Sequence, residues 1–166
     1  RVIVVGSMSK GYAMTGARVG WAIAPTAVIN RMVDLAGATT YGLPGFIQDS
    51  ASFALAECRE QEGEVADRYR RRRNVAVAAL GNSGFAKPLV PKGGMYVMVD
   101  VRASGLDGVS FAEALLDAEH IGVMPGESFG RSAAGYLRIA LTVPEDPLAD
   151  AMARLARFAE RMAQAA

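Results

Sequence analysis

Two short apolar runs, residues 2–5 and 18–24, enclose a loop that constrains the whole N-terminal half of this chain. The stretch reads Gly6-Ser7-Met8-Ser9-Lys10-Gly11-Tyr12-Ala13-Met14-Thr15-Gly16-Ala17-Arg18-Val19-Gly20-Trp21. The flanking runs predict two strands, the first of them buried. Glycines at 6, 11, 16 and 20 let the backbone approach a ligand closely and adopt dihedrals closed to other residues. A lysine beside serines at a strand end is ordinarily solvated; its whole setting is more specific. A nucleophilic lysine amine must be available in its neutral form, which takes desolvation or a neighbouring cation. Arg18 supplies such a cation, and its planar fork of donors also suits a phosphate. Ser7 offers a hydroxyl to the same anion, and Ser9 a second one near the lysine.

The spacing Ser-x-Ser-Lys-x-Tyr-x-Met-x-Gly-x-Arg-x-Gly-Trp resembles the lysine segment of class I and II aminotransferases, fold-type I enzymes that use pyridoxal phosphate (PLP). The resemblance implies that Lys10 holds the cofactor as a Schiff base and shuttles a proton between cofactor and substrate. It implies that Ser7 and Arg18 bind the cofactor phosphate, with Ser9 and Tyr41 as further cofactor contacts. A second signature runs Met-Pro-Gly-Glu-x-Phe-Gly at 124–130 and Gly-x-Leu-Arg-Ile-Ala-Leu at 135–141. An arginine between apolar strand neighbours usually forms an ion pair at a domain surface. In this family it binds the substrate's alpha-carboxylate through two parallel hydrogen bonds, a task lysine performs poorly, and that role falls to Arg138.

The fold class implied is α/β: the end of the fold-type I large domain followed by an α+β small C-terminal domain. On this reading residues 1–80 close the large domain, including the long helix that bridges it to the small one, and residues 81–166 form the small domain. The chain opens on Arg1 within a strand and without a start signal, so the resemblance makes it the C-terminal part of a longer enzyme, somewhat under half of it. The family's aspartate partner for the pyridine nitrogen, its ring-stacking aromatic and its main phosphate-binding helix are expected upstream. The implied partners are an L-amino acid, a 2-oxo acid and a second subunit in a homodimer.

Residue patterns fill in the elements. Thr26 is expected to cap a helix that gives way to a loop at residues 37–44. A helical pattern from Phe46 to Leu80, with a break, carries Glu57, Glu60, Glu62, Glu64 and Asp67 ahead of residues 68–73, an almost unbroken arginine run. Those arginines point around most of the helix axis and form no single stripe, so a solvated helix laced by i,i+4 pairs is expected rather than a nucleic-acid surface. A turn at 81–84 separates this helix from a strand at 95–101. Then come a helix at 111–118 capped by Ser110, a short strand at 122–124 and a strand at 136–141. A terminal helix covers 148–165, with Leu148, Met152, Leu155 and Phe158 at helical spacing.

Composition excludes several functions. Eighteen basic against seventeen acidic side chains give a net charge of +1, which points to neither nucleic acid nor an acidic membrane. No apolar run approaches the roughly 18 residues that span a bilayer, and no signal peptide is visible. The single cysteine, Cys58, lies in a helical pattern as a small buried hydrophobe and fits a reducing, cytoplasmic setting. His120 is the only histidine and sits at a helix-to-strand junction as a structural residue, so no metal site is expected.

Residues 35–43 admit two readings, an ordinary surface loop or a loop whose Thr40 and Tyr41 reach a neighbouring subunit's site. They contain no Lys or Arg, whereas some dicarboxylate-specific relatives grip the substrate side chain with an arginine there. That leaves room for a neutral or basic substrate side chain, and residues 126–135 are similar to arginine–pyruvate transaminases. The activity implied is transamination between an L-amino acid and a 2-oxo acid. The same fold also hosts PLP-dependent carbon–sulfur lyases and non-catalytic PLP-binding domains of transcription regulators.

Overall fold

The computed structural model describes residues 2–81 and 83–165. Arg1 of the expected first strand, Asn82 of the expected 81–84 turn and Ala166 lie outside the described residues. The chain divides into two compact units, Arg1–Asp67 and Arg68–Ala166.

In the N-terminal unit β1 (Val4–Ser7) pairs antiparallel with β2 (Gly20–Ile23), with Gly6 opposite Trp21. Gly6 is required there, because any Cβ would overlap the Trp21 ring. Helices α1 (Thr26–Thr39) and α2 (Gly45–Glu57) follow, and α3 (Arg59–Leu80) begins in this unit and continues into the next. The core is small: Met8, Ala51 and Ala54, with Tyr12, Met14, Val19 and Cys58 packed around them.

Four local expectations change here. The first strand starts later than residue 2 and is not buried, Val5 being 76% exposed, because its sheet has only two strands and cannot cover both its faces. Thr26 is the first helical residue and Pro25 the cap, its fixed φ pre-set for the helix start. The expected loop at 37 is helical through Thr39: the Thr39 and Thr40 hydroxyls donate to the Leu35 and Ala36 carbonyls at 2.8 and 3.3 Å and carry the last turn past Gly37. The break expected between residues 46 and 80 falls at Cys58, which caps α2 half-buried rather than lying buried inside a helix.

The C-terminal unit is built on a four-stranded antiparallel sheet, ordered β3-β4-β6-β5, from β3 (Lys87–Leu89), β4 (Tyr96–Asp100), β5 (Met124–Pro125) and β6 (Tyr136–Ala140). Alternation along β4 and β6 sends Val97, Val99, Leu137 and Ile139 into the core and Tyr96, Met98 and Arg138 to the other face. The core is completed by Ala76 and Leu80 of α3, by Phe111 and Leu115 of α4 (Gly108–Glu119), and by Leu148, Met152, Leu155 and Phe158 of α5 (Glu145–Ala165). Phe111 meets Phe158 edge to face at 5.2 Å, a geometry the ring quadrupoles favour.

Asp107, not Ser110, caps α4: its Oδ1 accepts the Ser110 N–H at 2.8 Å. That bond holds the Asp107 carboxyl below the ordinary carboxylate range. The strand expected at 122–124 shrinks to Met124–Pro125, and β3 had no period to announce it. In the arginine run Arg68, Arg70 and Arg71 are exposed, as expected of a solvated helix, but Arg72 and Arg73 are not. Arg72, its side chain 14% exposed, donates to the Leu141 and Thr142 carbonyls at 3.2 Å, and Arg73 donates to the Pro91 carbonyl. The run thus ties α3 to the loops that end the sheet. His120 occupies the left-handed position that ends α4, at the helix-to-strand junction expected for it. Among the described residues no helix is long and apolar enough to cross a membrane.

Candidate active site

The loop between β1 and β2 is wound tightly by its own small residues. Met8 is wholly buried and plugs the loop onto α2; its N–H donates to the Val19 carbonyl and its carbonyl accepts from Met14 N–H. With that anchor fixed, the polar side chains next to it face outward. The Ser9 N–H donates to Ser7 Oγ at 3.2 Å, and the Thr15 hydroxyl donates to the Ser9 carbonyl at 2.9 Å. Arg18 sits in the left-handed region at φ +54°, and its guanidinium donates to the Thr15 carbonyl at 3.0 Å. One guanidinium nitrogen is thereby used to aim the rest. A non-glycine residue held at positive φ costs on the order of 1 kcal/mol, and Ala13 of the same loop shares that conformation.

Lys10 lies exposed on this loop, and no hydrogen bond or ion pair holds its amine among the described residues. Sequence reasoning missed the brace beside it. The Tyr12 hydroxyl donates to Glu62 Oε2 at 3.3 Å, tying the loop to the first turn of α3. Partial burial, and then the Glu62 carboxylate, raise the Tyr12 phenol above its ordinary range. The structure therefore gathers Ser7, Ser9, Lys10 and Arg18 on one braced loop. Tyr41 is not part of it: it stands 93% exposed in the turn between α1 and α2, at φ +57°.

The donor set suits PLP. A phosphate can accept from a hydroxyl and a guanidinium such as those of Ser7 and Arg18, and an aldehyde can condense with an amine that, like that of Lys10, no hydrogen bond or ion pair holds among the described residues.

Arg138 belongs to the C-terminal unit, in mid-β6, opposite Met98 of β4 and Met124 of β5. Its guanidinium carbon lies 4.3 Å from the Tyr96 ring centroid and 4.3 Å from that of Phe129. It has no hydrogen bond or ion pair among the described residues. Phe129 ends a short 3-10 turn, Gly126–Phe129, whose Glu127 Oε1 accepts the Gly108 N–H at 3.0 Å and the Gly135 N–H at 2.8 Å. These bonds, that to Gly135 first, hold the Glu127 carboxyl below the ordinary carboxylate range.

The family profile described as aminotransferase class I and II matches residues 1–155. This chain belongs to the class I and II aminotransferases. Members of that family use PLP. An arginine–pyruvate transaminase of Pseudomonas aeruginosa is 43% identical over 162 residues, 98% of this chain and 41% of the relative. An aspartate aminotransferase of Pyrococcus horikoshii is 34% identical over 160 residues, 95% of this chain and 41% of the relative. Among solved structures, the aromatic aminotransferase of P. horikoshii superposes with a TM-score of 0.91 at 34% identity, covering 97% of this chain and 43% of that one. The Thermus thermophilus aspartate aminotransferase with maleate gives 0.86 at 32% identity, over 94% and 41%. The fold is accordingly that of the fold-type I aminotransferases, and the chain spans about 41% of the length of these curated relatives.

Proposed function

We propose that this chain is the C-terminal part of a PLP-dependent enzyme that exchanges the amino group of an L-amino acid with a 2-oxo acid. The observation that carries this reading is Lys10, its amine unpartnered on a loop that also presents Ser7 and Arg18. In it, Lys10 Nζ holds the cofactor and then moves the proton at the substrate's alpha carbon. Ser7 Oγ and the Arg18 guanidinium bind the phosphate, and Ser9 lines the same loop. Tyr41, an almost fully exposed aromatic, contacts the cofactor across a homodimer. Arg138 takes the substrate carboxylate. When bound, PLP supplies an electron sink for the alpha carbon. The domain boundary falls between residues 80 and 81, at the end of α3, and the enzyme works in the cytoplasm, with which the unpaired Cys58 is compatible.

The reading is tested on the full-length polypeptide that carries this chain. Incubation with PLP, borohydride reduction and peptide mass spectrometry should find a pyridoxyl group on Lys10; an unmodified Lys10 in folded protein refutes it. Lys10→Ala should lower transamination by at least about a hundredfold, the scale of a lost general acid–base group.

Substrate choice follows from residues 35–43, which hold no cation to grip an acidic side chain, and from the resemblance to an arginine–pyruvate transaminase. The amino donor is neutral or basic. With pyruvate as acceptor, arginine should be consumed faster than aspartate; a preference for aspartate contradicts this.

A further inference from the structure

An arginine at the middle of a sheet can be held by hydrogen bonds to its N–H groups or by contact with neighbouring rings. The Arg138 guanidinium has no hydrogen bond or ion pair among the described residues. Its central carbon lies 4.3 Å from each of two ring centroids, those of Tyr96 and Phe129. The rings come from separate parts of the unit. Tyr96 lies on β4, two residues before Met98, which faces Arg138, and alternation puts its side chain on Arg138's side of the sheet. Phe129 comes from the Gly126–Phe129 turn, which Glu127 ties to the start of α4 and to Gly135, three residues before Arg138. Gly126 is forced at the head of that turn, because a Cβ there would overlap the Ala133 carbonyl.

We infer that Tyr96 and Phe129 are positioning residues that fix the direction of the Arg138 guanidinium and so set how strongly the site distinguishes a carboxylate from an uncharged carbonyl group. The inference rests on Arg138 being the carboxylate-binding residue. Both rings touch the guanidinium without accepting a hydrogen bond from it, so its N–H groups, unpaired among the described residues, remain for a planar anion. A carboxylate accepting two parallel N–H bonds gains most from this orientation; a neutral amide, with one acceptor oxygen, gains little.

The probes are 2-aminoisobutyrate and its amide, whose quaternary alpha carbon carries no proton to abstract and whose side chain is only a second methyl group. Their dissociation constants are read from the cofactor absorbance of the PLP-loaded, full-length protein. Phe129→Leu and Tyr96→Leu should each weaken binding of the acid about three- to tenfold, the scale of a cation–π contact, and leave the amide unchanged. Phe129→Tyr should restore it. In an Arg138→Ala background the leucine substitutions should have no further effect, since they act through that arginine. Equal weakening of acid and amide, or effects that add fully on Arg138→Ala, overturns the inference. If Arg138→Ala loses the discrimination and the leucine variants keep it, this inference alone falls. If Arg138→Ala keeps it, the carboxylate reading of Arg138 falls as well.

Discussion

Arg18 and Arg138 show how much an arginine's meaning depends on what fills its surroundings. Arg18 spends one nitrogen on the Thr15 carbonyl and is held at positive φ, so its direction is set by its own loop. Arg138 lies against rings from two other segments, and no hydrogen bond takes its guanidinium donors among the described residues. Replacing Arg138 by Lys keeps the charge and loses the fork of parallel donors. The Michaelis constant for the amino donor should then rise about tenfold or more, the scale of a lost hydrogen bond to a charged group, with a smaller change in kcat. Steady-state kinetics on the full-length enzyme measure it; an unchanged KM would argue that Arg138 does not contact substrate. Ser110 carries a lesson of the same size. It was a fair candidate for the α4 cap, but Asp107 stands three residues ahead with an equally suitable side chain. Only the backbone path decides which oxygen meets which N–H.

At the scale of elements, the C-terminal unit is clasped at the end of α4. Glu119 accepts from Arg154 Nε at 3.0 Å and from Arg161 Nη2 at 2.5 Å, while its backbone carbonyl accepts a further Arg154 nitrogen. Both arginines lie on α5, so one carboxylate fastens two helices whose apolar sides already meet at Phe111 and Phe158. Arg161, and then Arg154, hold the Glu119 carboxyl below the ordinary carboxylate range. A carboxyl whose pKa falls on folding contributes stability that is complete above its unfolded-state pKa and is lost as the pH falls through its folded-state value. Glu119→Gln should therefore lower the melting temperature at neutral pH, with the two proteins converging in acid. Melting curves across that range check it, and a gap that stays constant down to low pH would exclude the ionised carboxylate as its source.

For the whole molecule, the two units differ in how completely they cover themselves. The C-terminal unit closes a sheet and three helices around one apolar core. The N-terminal unit leaves Val5, Phe46 and Phe53 at 76, 72 and 65% exposure around a core of only three buried side chains. Because the chain spans about 41% of the length of its curated relatives, we expect the isolated 166-residue chain to show little or no transaminase activity. An amino-acid/2-oxo-acid exchange assay on that chain decides the point, and robust turnover would contradict it.

Much of this protein was legible locally. The lysine loop announced itself by residue types at fixed spacing. The apolar runs at 95–101 and 136–141 predicted strands, and the spacing of Leu148, Met152, Leu155 and Phe158 predicted α5. Such patterns are readable because a strand or helix repeats its geometry every few residues. What only the tertiary structure decided lies between elements distant in sequence: that Arg72 and Arg73 of the arginine run grip the sheet's loops, that β1 is exposed, and that Tyr12 is braced by Glu62. The rings around Arg138 belong here too, since strand register and the path of a loop are fixed by long-range packing that no local period records.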